Sequence, residues 1–192
     1  IYVDTGALYR AVGLYALRNV GDGYSAEDVI KLLDGLDVKI KFAGGVQRVF
    51  NNGEDVSDFI RTPEVTSASS FVSSIPEVRE FLFELQKRLA NENDVVMDGR
   101  DIGTVVLPEA EVKIFLTASA EERAKRRFAE MESGEQTYEE VLEAIKKRDY
   151  DDSHRDIAPL KPADDAVFID TDGLSLEQSI DKVLEAIENK IK

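Results

Sequence analysis

Apolar and polar positions along this chain switch between helical and strand periods, and the switches outline its elements. A short apolar start, Ile1-Tyr2-Val3, reads as a strand, and the Asp4-Thr5-Gly6 turn leads into residues 7–17, where Leu8, Val12 and Tyr15 lie near one helical face. Ser25 caps a second helix that runs to about residue 33. From Asp37 the period drops to two. Val38, Ile40 and Phe42 alternate with polar residues, Gly44-Gly45 interrupts, 46–50 follows, and Asn52-Gly53 turns into another short strand, so a small antiparallel meander is expected. Helical spacing returns over 63–73 and 76–91, with Pro63 and Pro76 placed acceptably in first turns. Continuous apolar runs at 95–97, 112–116 and 167–169, separated by helical segments, predict parallel strands in a sheet covered on both faces. Ser119 with Glu122, and Thr137 with Glu140, form capping-box patterns that start two helices around a turn at Gly134. In the last helix, 176–190, Ile180, Val183, Leu184 and Ile187 continue to Ile191 as one stripe, expected to pack on the core.

Composition narrows the class. With 192 residues, 43% of them hydrophobic and 33% charged, one folded domain is expected rather than a disordered chain. The absence of cysteine excludes a disulfide scaffold, a thiolate zinc site and a cysteine nucleophile, and it suits a reducing compartment. A single His154, in an Asp-Ser-His-Arg stretch, cannot build a multi-histidine metal centre and reads as a solvated side chain. The formal charge of −15 argues against nucleic acid and anionic membranes as partners. No apolar stretch reaches membrane-spanning length and no signal peptide is visible, so a cytoplasmic protein is expected; no feature demands a protein complex, so a monomer is expected. The start inside a strand, without Met, leads us to expect further chain upstream.

Against this acidic background, four groups of residues suggest chemistry. In VVMDGRDIGTVV (95–106) a buried-strand pattern ends in Asp98, Arg100 and Asp101, where an open parallel sheet presents its ligands. Asp98 resembles a Mg²⁺-holding acid, Arg100 can fork onto a phosphate and Asp101 can accept hydrogen bonds from a base; the run also reads as a strand ending in a capped glycine turn. Arg123, Arg126 and Arg127, at i, i+3 and i+4, project to one side of a helix, either to clamp polyphosphate or as a solvated face paired with Glu121, Glu122 and Glu130. Arg148, Asp152 and Arg155, at i, i+4 and i+7, form a ligand-binding set or a surface ion-pair ladder. In DTGALYR, Asp4 or Thr5 is a plain helix cap or a site residue, and Arg10 follows one turn inward.

Taken in order, IYVDTGALYR, EDVSDFIRTPEVTSASSFVSSIPEVRE, VVMDGRDIGTVVLPEAEVKIFLTASAEERAKRR, RDYDDSHRDIAPL and ADDAVFIDT resemble the bacterial-type cytidylate kinases over most of the chain. That resemblance implies an α/β, P-loop nucleoside monophosphate kinase fold: a central parallel sheet flanked by helices, an acceptor-binding insertion over about 34–74 and a helical lid over about 120–156. The implied reaction moves the γ-phosphate of Mg·ATP to CMP or dCMP, in pyrimidine nucleotide metabolism. It suggests Ser70, Arg79 and Asp101 for cytosine, Arg10 and Arg100 for the 5′-phosphate, and Arg148, Asp152 and Arg155 around ribose and phosphates. Thr5 joins the substrate residues, Arg123, Arg126 and Arg127 the donor, Asp98 the Mg²⁺; Arg100, Arg126, Arg127 and Arg155 neutralise charge during transfer. The chemistry is consistent, because cytosine's N4 amino group donates to a carboxylate where uracil would turn a carbonyl towards it.

One family motif does not appear. No G-x-x-x-x-G-K-[ST] loop occurs among the 192 residues, nor any Lys-Ser or Lys-Thr pair. Two readings follow: a fragment of an intact enzyme whose loop lies upstream, or a truncated noncatalytic nucleotide-binding remnant. A different small-molecule P-loop kinase, for adenylate or shikimate, is the enzyme-class alternative, and the DGRDIG run and the long insertion count against it.

Overall fold

A computed structural model describes residues 1–131 and 136–191; the turn expected at Gly134 lies outside the described residues. The chain divides into two units, Ile1–Gly99 and Arg100–Lys192.

In the first unit, β1 (Tyr2–Asp4) pairs parallel with β5 (Val96–Asp98), in the register that sets Asp4 opposite Asp98. The meander is present as expected: β2 (Val38–Ala43), β3 (Val46–Asn51) and β4 (Glu54–Asp55) pair antiparallel in order. Asn52 adopts a φ of 49°, which asparagine tolerates and a tight primed hairpin turn requires. Helices α1 (Gly6–Val20), α2 (Ala26–Leu33), α3 (Pro63–Val72) and α4 (Pro76–Glu92) complete the unit. A reciprocal capping box between Ser25 and Asp28 starts α2, and the Thr62 hydroxyl starts α3. Leu8 and Val12 of α1, Val49 of β3, Val72 of α3 and Leu82 of α4 meet in one continuous core. Close packing of α1 on α3 depends on Gly13, where a Cβ would come within 3.0 Å of the Ala68 Cβ.

In the second unit, β6 (Ile114–Thr117) pairs parallel with β7 (Val167–Asp170), and Phe115 stacks on Phe168 across them. Residues Ile102–Val106 wind into a π-helical turn that apolar spacing did not announce, closed by the Leu107 N–H donating to the Ile102 carbonyl at 2.7 Å. Helices α5 (Ala120–Glu130), α6 (Tyr138–His154) and α7 (Leu176–Ile191) follow. Thr137 and Glu140 form the expected reciprocal box, but only half of the Ser119 box forms. The Ser119 hydroxyl accepts from the Glu122 N–H, while its own N–H donates to Asp172 at 2.7 Å, because the Glu122 carboxylate is drawn instead to Arg126 at i+4.

Two expectations are corrected. The stripe of α7 does not pack as core: none of its residues is buried, and Leu176 is 78% exposed. Likewise Val96 of β5 and Leu116 and Phe168 of the second pair are exposed, so the strands are not covered on both faces by the described residues. Apolar spacing reports a face that favours burial; whether a partner element lies over it is a tertiary matter. Among the described residues no helix is long and apolar enough to cross a membrane.

Candidate functional site

The strand ends of the first unit carry a carboxylate cluster with a held guanidinium. Register places Asp4 and Asp98 side by side at the C-terminal edge of the β1–β5 pair, where open α/β sheets bind ligands. Asp4 is a hub. Its Oδ1 accepts the Ala7 N–H at 3.0 Å and so caps α1, while Oδ2 accepts Arg10 Nη2 at 2.6 Å and Arg61 Nη2 at 3.4 Å. The choice between Asp4 and Thr5 as cap is thereby decided for Asp4. Thr5 is buried, and its hydroxyl donates to the Asp98 carbonyl at 2.7 Å, bracing the two strand ends. Gly6 leaves room for the ion pair, since a Cβ there would sit 3.1 Å from both Arg10 Nη1 and Asp4 Oδ1. Arg10 Nε is buried without a hydrogen-bond partner among the described residues. An oxyanion would satisfy it.

Asp98 keeps an exposed edge, yet loss of water around its carboxyl, and then the neighbouring Asp4 charge, raise its pKa above the ordinary 3.8; the Tyr2 hydroxyl and Arg10 oppose that shift. A cation beside the pair would relieve the repulsion. No group of three or more metal-ligating side chains occurs among the described residues. Removing the Asp98 charge should therefore separate stability from activity. Because the folded state binds this proton more tightly, the cost of the ionised carboxylate is absent below the unfolded value of 3.8 and present above the raised folded one. Asp98→Asn is expected to raise the thermal midpoint at pH 7.5 by about 1–2 °C, with the gain fading in acid. The same variant is expected to lose roughly 10²-fold in kcat. Calorimetric scans across pH and steady-state rates check both; a lowered midpoint at neutral pH would contradict the electrostatic account.

Near the same end of α1, beside Tyr9, Arg79 is buried in the first turn of α4, where the helix dipole disfavours a cation. Its Nη1 donates to the Ser73 carbonyl at 3.1 Å, and its guanidinium lies 5.6 Å from the Tyr9 ring centroid. Ser70, half-buried on α3, turns its hydroxyl to the Thr66 carbonyl at 3.4 Å.

In the second unit the arginines gather on one carboxylate. Asp152, only 8% exposed, accepts Arg100 Nε at 2.9 Å, with Arg155 Nη1 at 3.5 Å and Arg148 Nε at 3.9 Å. The i, i+4, i+7 set is thus a buried hub joined by Arg100, not a surface ladder. Two backbone contacts fix it: Arg155 Nε donates to the Ala158 carbonyl at 2.7 Å, and the Leu160 N–H to the Asp152 carbonyl at 2.8 Å. Ala158 holds a φ of 47°, a strained geometry for alanine that places its carbonyl at Arg155. Asp101, 5% exposed, heads the π-helical turn, its carbonyl accepting the Val105 N–H at 2.8 Å.

The three α5 arginines part company. Arg123 donates from Nη1 to Asp149 at 2.9 Å and from Nε to the Ala118 carbonyl, and its pKa is pushed further up by the Asp149 hydrogen bond. Arg126 donates to Glu122 at 3.0 Å and to the Thr171 carbonyl at 2.6 Å. Arg127 is exposed and makes no ion pair among the described residues. Of the pairings expected on a solvated face, Arg126–Glu122 forms, while Glu121 pairs with Lys146 and Arg123 reaches across to α6. With the edge-on contact of Phe128 and Tyr138, these pairs fasten α5 to α6. His154 is exposed and stacks on Tyr150 at 4.0 Å, as a solvated side chain would.

Sequence reasoning missed Asp4 as the holder of Arg10, the contribution of Arg61, and Ala158. Only for Asp4 was there a signal, the six-residue spacing to Arg10 across a helix start.

Parallel strands that end in paired carboxylates, and guanidiniums gathered on a buried acid, suit an α/β protein that handles phosphates. The Cytidylate kinase family pattern matches residues 1–189. The cytidylate kinase of Caldicellulosiruptor bescii is 50% identical over 194 aligned residues, covering 100% of this chain and 86% of that protein. That of Streptococcus gordonii is also 50% identical, over 100% of this chain and 84% of its own length, and that of Bacillus subtilis is 47% identical, over 99% and 86%. The chain belongs to the cytidylate kinase family.

Proposed function

We propose that this protein transfers the γ-phosphate of ATP to CMP or dCMP, giving CDP or dCDP, as a step of pyrimidine nucleotide metabolism. The observation that carries the reading is Arg10: its guanidinium is held by Asp4 beside Asp98, with a buried Nε donor still to be satisfied. In this reading Arg10 and Arg100 take the 5′-phosphate of the acceptor. Ser70 and Arg79 bind the cytosine, and Asp101 accepts from its N4 amino group. Arg148, Asp152 and Arg155 serve ribose and phosphates, with Asp152 holding the guanidiniums in place. Arg123 and Arg126, themselves pinned by carboxylate and carbonyl partners, and the exposed Arg127 serve the donor phosphates. Thr5 acts by bracing Asp98.

Phosphoryl transfer asks for alignment and charge neutralisation rather than a covalent intermediate. Arg100, Arg126, Arg127 and Arg155 supply that neutralisation. Mg²⁺, bound with ATP and backed by Asp98, would add further charge at the phosphates. Residues 120–156, the fastened pair α5 and α6, act as a lid that excludes water, and 34–74 as the acceptor-binding insertion. The working protein is a cytoplasmic monomer without an obligate protein partner.

ADP production from Mg·ATP with CMP, dCMP, UMP, AMP or no acceptor tests the reading. We expect CMP and dCMP to exceed UMP and AMP in kcat/KM by at least about 10²-fold. Equal rates with AMP, or equal ADP release without acceptor, would overturn it.

A further inference from the structure

Strand β3 reaches the phosphate end of the first unit through a side chain that neither the motifs nor the proposed roles include. Gln47 brackets the backbone of Asp4 with its whole amide: the Asp4 N–H donates to Gln47 Oε1 at 2.9 Å, and Gln47 Nε2 donates to the Asp4 carbonyl at 3.1 Å. These are the bonds a neighbouring strand would make, supplied by one side chain 43 residues away in sequence. Two residues on along the same strand, Val49 lies in the core, and after two more Asn51 donates from Nδ2 to the Ala11 carbonyl at 2.8 Å. Residues 47, 49 and 51 share one face of β3. Two amides at the ends of that face therefore hold the chain at residue 4 and at residue 11, on either side of Arg10.

We infer that Gln47 is a positioning residue for the acceptor phosphate. By fixing the Asp4 backbone it fixes the carboxylate that caps α1 and holds Arg10, so the meander sets where the Arg10 guanidinium stands. The inference rests on the reading of Arg10 as a 5′-phosphate ligand. Its particular consequence is that Gln47 acts on the phosphate of CMP more than on the cytosine, because Arg79 donates to the Ser73 carbonyl, just after α3, rather than to Asp4.

Titration calorimetry with CMP and with cytidine, which lacks the phosphate, separates these effects. Gln47→Met keeps the length of the side chain and removes both hydrogen bonds; it is expected to weaken CMP about tenfold while leaving cytidine within about twofold. Gln47→Glu tests the bonds themselves. As a carboxylate it faces the Asp4 carbonyl without a proton to donate, and as a carboxylic acid it restores both bonds, so its CMP affinity relative to the parent protein should recover as pH falls. Thermal scans establish that each variant is folded. Unchanged CMP affinity in Gln47→Met, or equal weakening of CMP and cytidine, would overturn the positioning role alone. A parent protein that binds neither compound would overturn the CMP reading, and this inference with it.

Discussion

Asp152→Ala is expected to lower kcat/KM for CMP by about 10²–10³-fold, the largest loss of any substitution outside the base contacts. One buried carboxylate organises Arg100, Arg148 and Arg155, and without it three guanidiniums of like charge would face one another. Removing one partner of a buried ion pair costs about 3–5 kcal/mol, and the solvated parts of Arg100 and Arg148 bring the expectation down to about 2–3 kcal/mol. For a chain of this length that is a fall in melting temperature of roughly 5–10 °C. Asp152→Asn keeps an acceptor for Arg100 and should lose less on both counts. Steady-state kinetics below the melting range, with thermal scans, check the pair. Parental kinetics in a destabilised Asp152→Ala would mean that the hub serves folding only.

Asp101→Ala should act on a different quantity, the choice of base. We expect kcat/KM for CMP to fall by about 10³-fold and the ratio of CMP to UMP to collapse, with KM for ATP unchanged within about twofold. The reason is chemical. A buried carboxylate accepts from the cytosine N4 amino group and repels the uracil O4 carbonyl, and a site that loses a matched polar partner loses far more than an apolar pocket that loses a methylene. Asp101→Asn, able to donate through its amide, is expected to recover UMP use relative to Asp101→Ala. Equal losses for CMP and ATP would sink the assignment. So would a CMP:UMP ratio that does not move, because it would place base selection elsewhere.

The meander, the helix starts at Ser25 and Thr137, and the parallel strands were legible because each depends on local rules. A two-residue turn needs Asn52-Gly53, a helix start needs a hydroxyl with an acid three residues on, and a buried strand needs an unbroken apolar run. Other features were not legible, for equally definite reasons. The Ser119 box and the Arg126–Glu122 pair compete for one carboxylate, and spacing alone does not say which wins. The stripe of α7 has the right period for burial, but none of its residues is buried by the described residues. The π-helical turn at 102–106 depends on where the Asp101 carbonyl is held, which no periodicity encodes.

The same division runs through the site. Local sequence determined that carboxylates stand at strand ends, that arginines recur along α5 and α6, and that 37–56 is a hairpin array, since each follows from residues within a few positions of one another. Tertiary structure alone decided that Asp4 also holds Arg61, that Asp152 gathers an arginine 52 residues away, and that Gln47 brackets the Asp4 backbone. A guanidinium can satisfy any carboxylate within reach, and this acidic chain offers many. Which one it takes is settled by packing, because the fixed backbone decides which carboxylates lie within hydrogen-bond reach of each guanidinium.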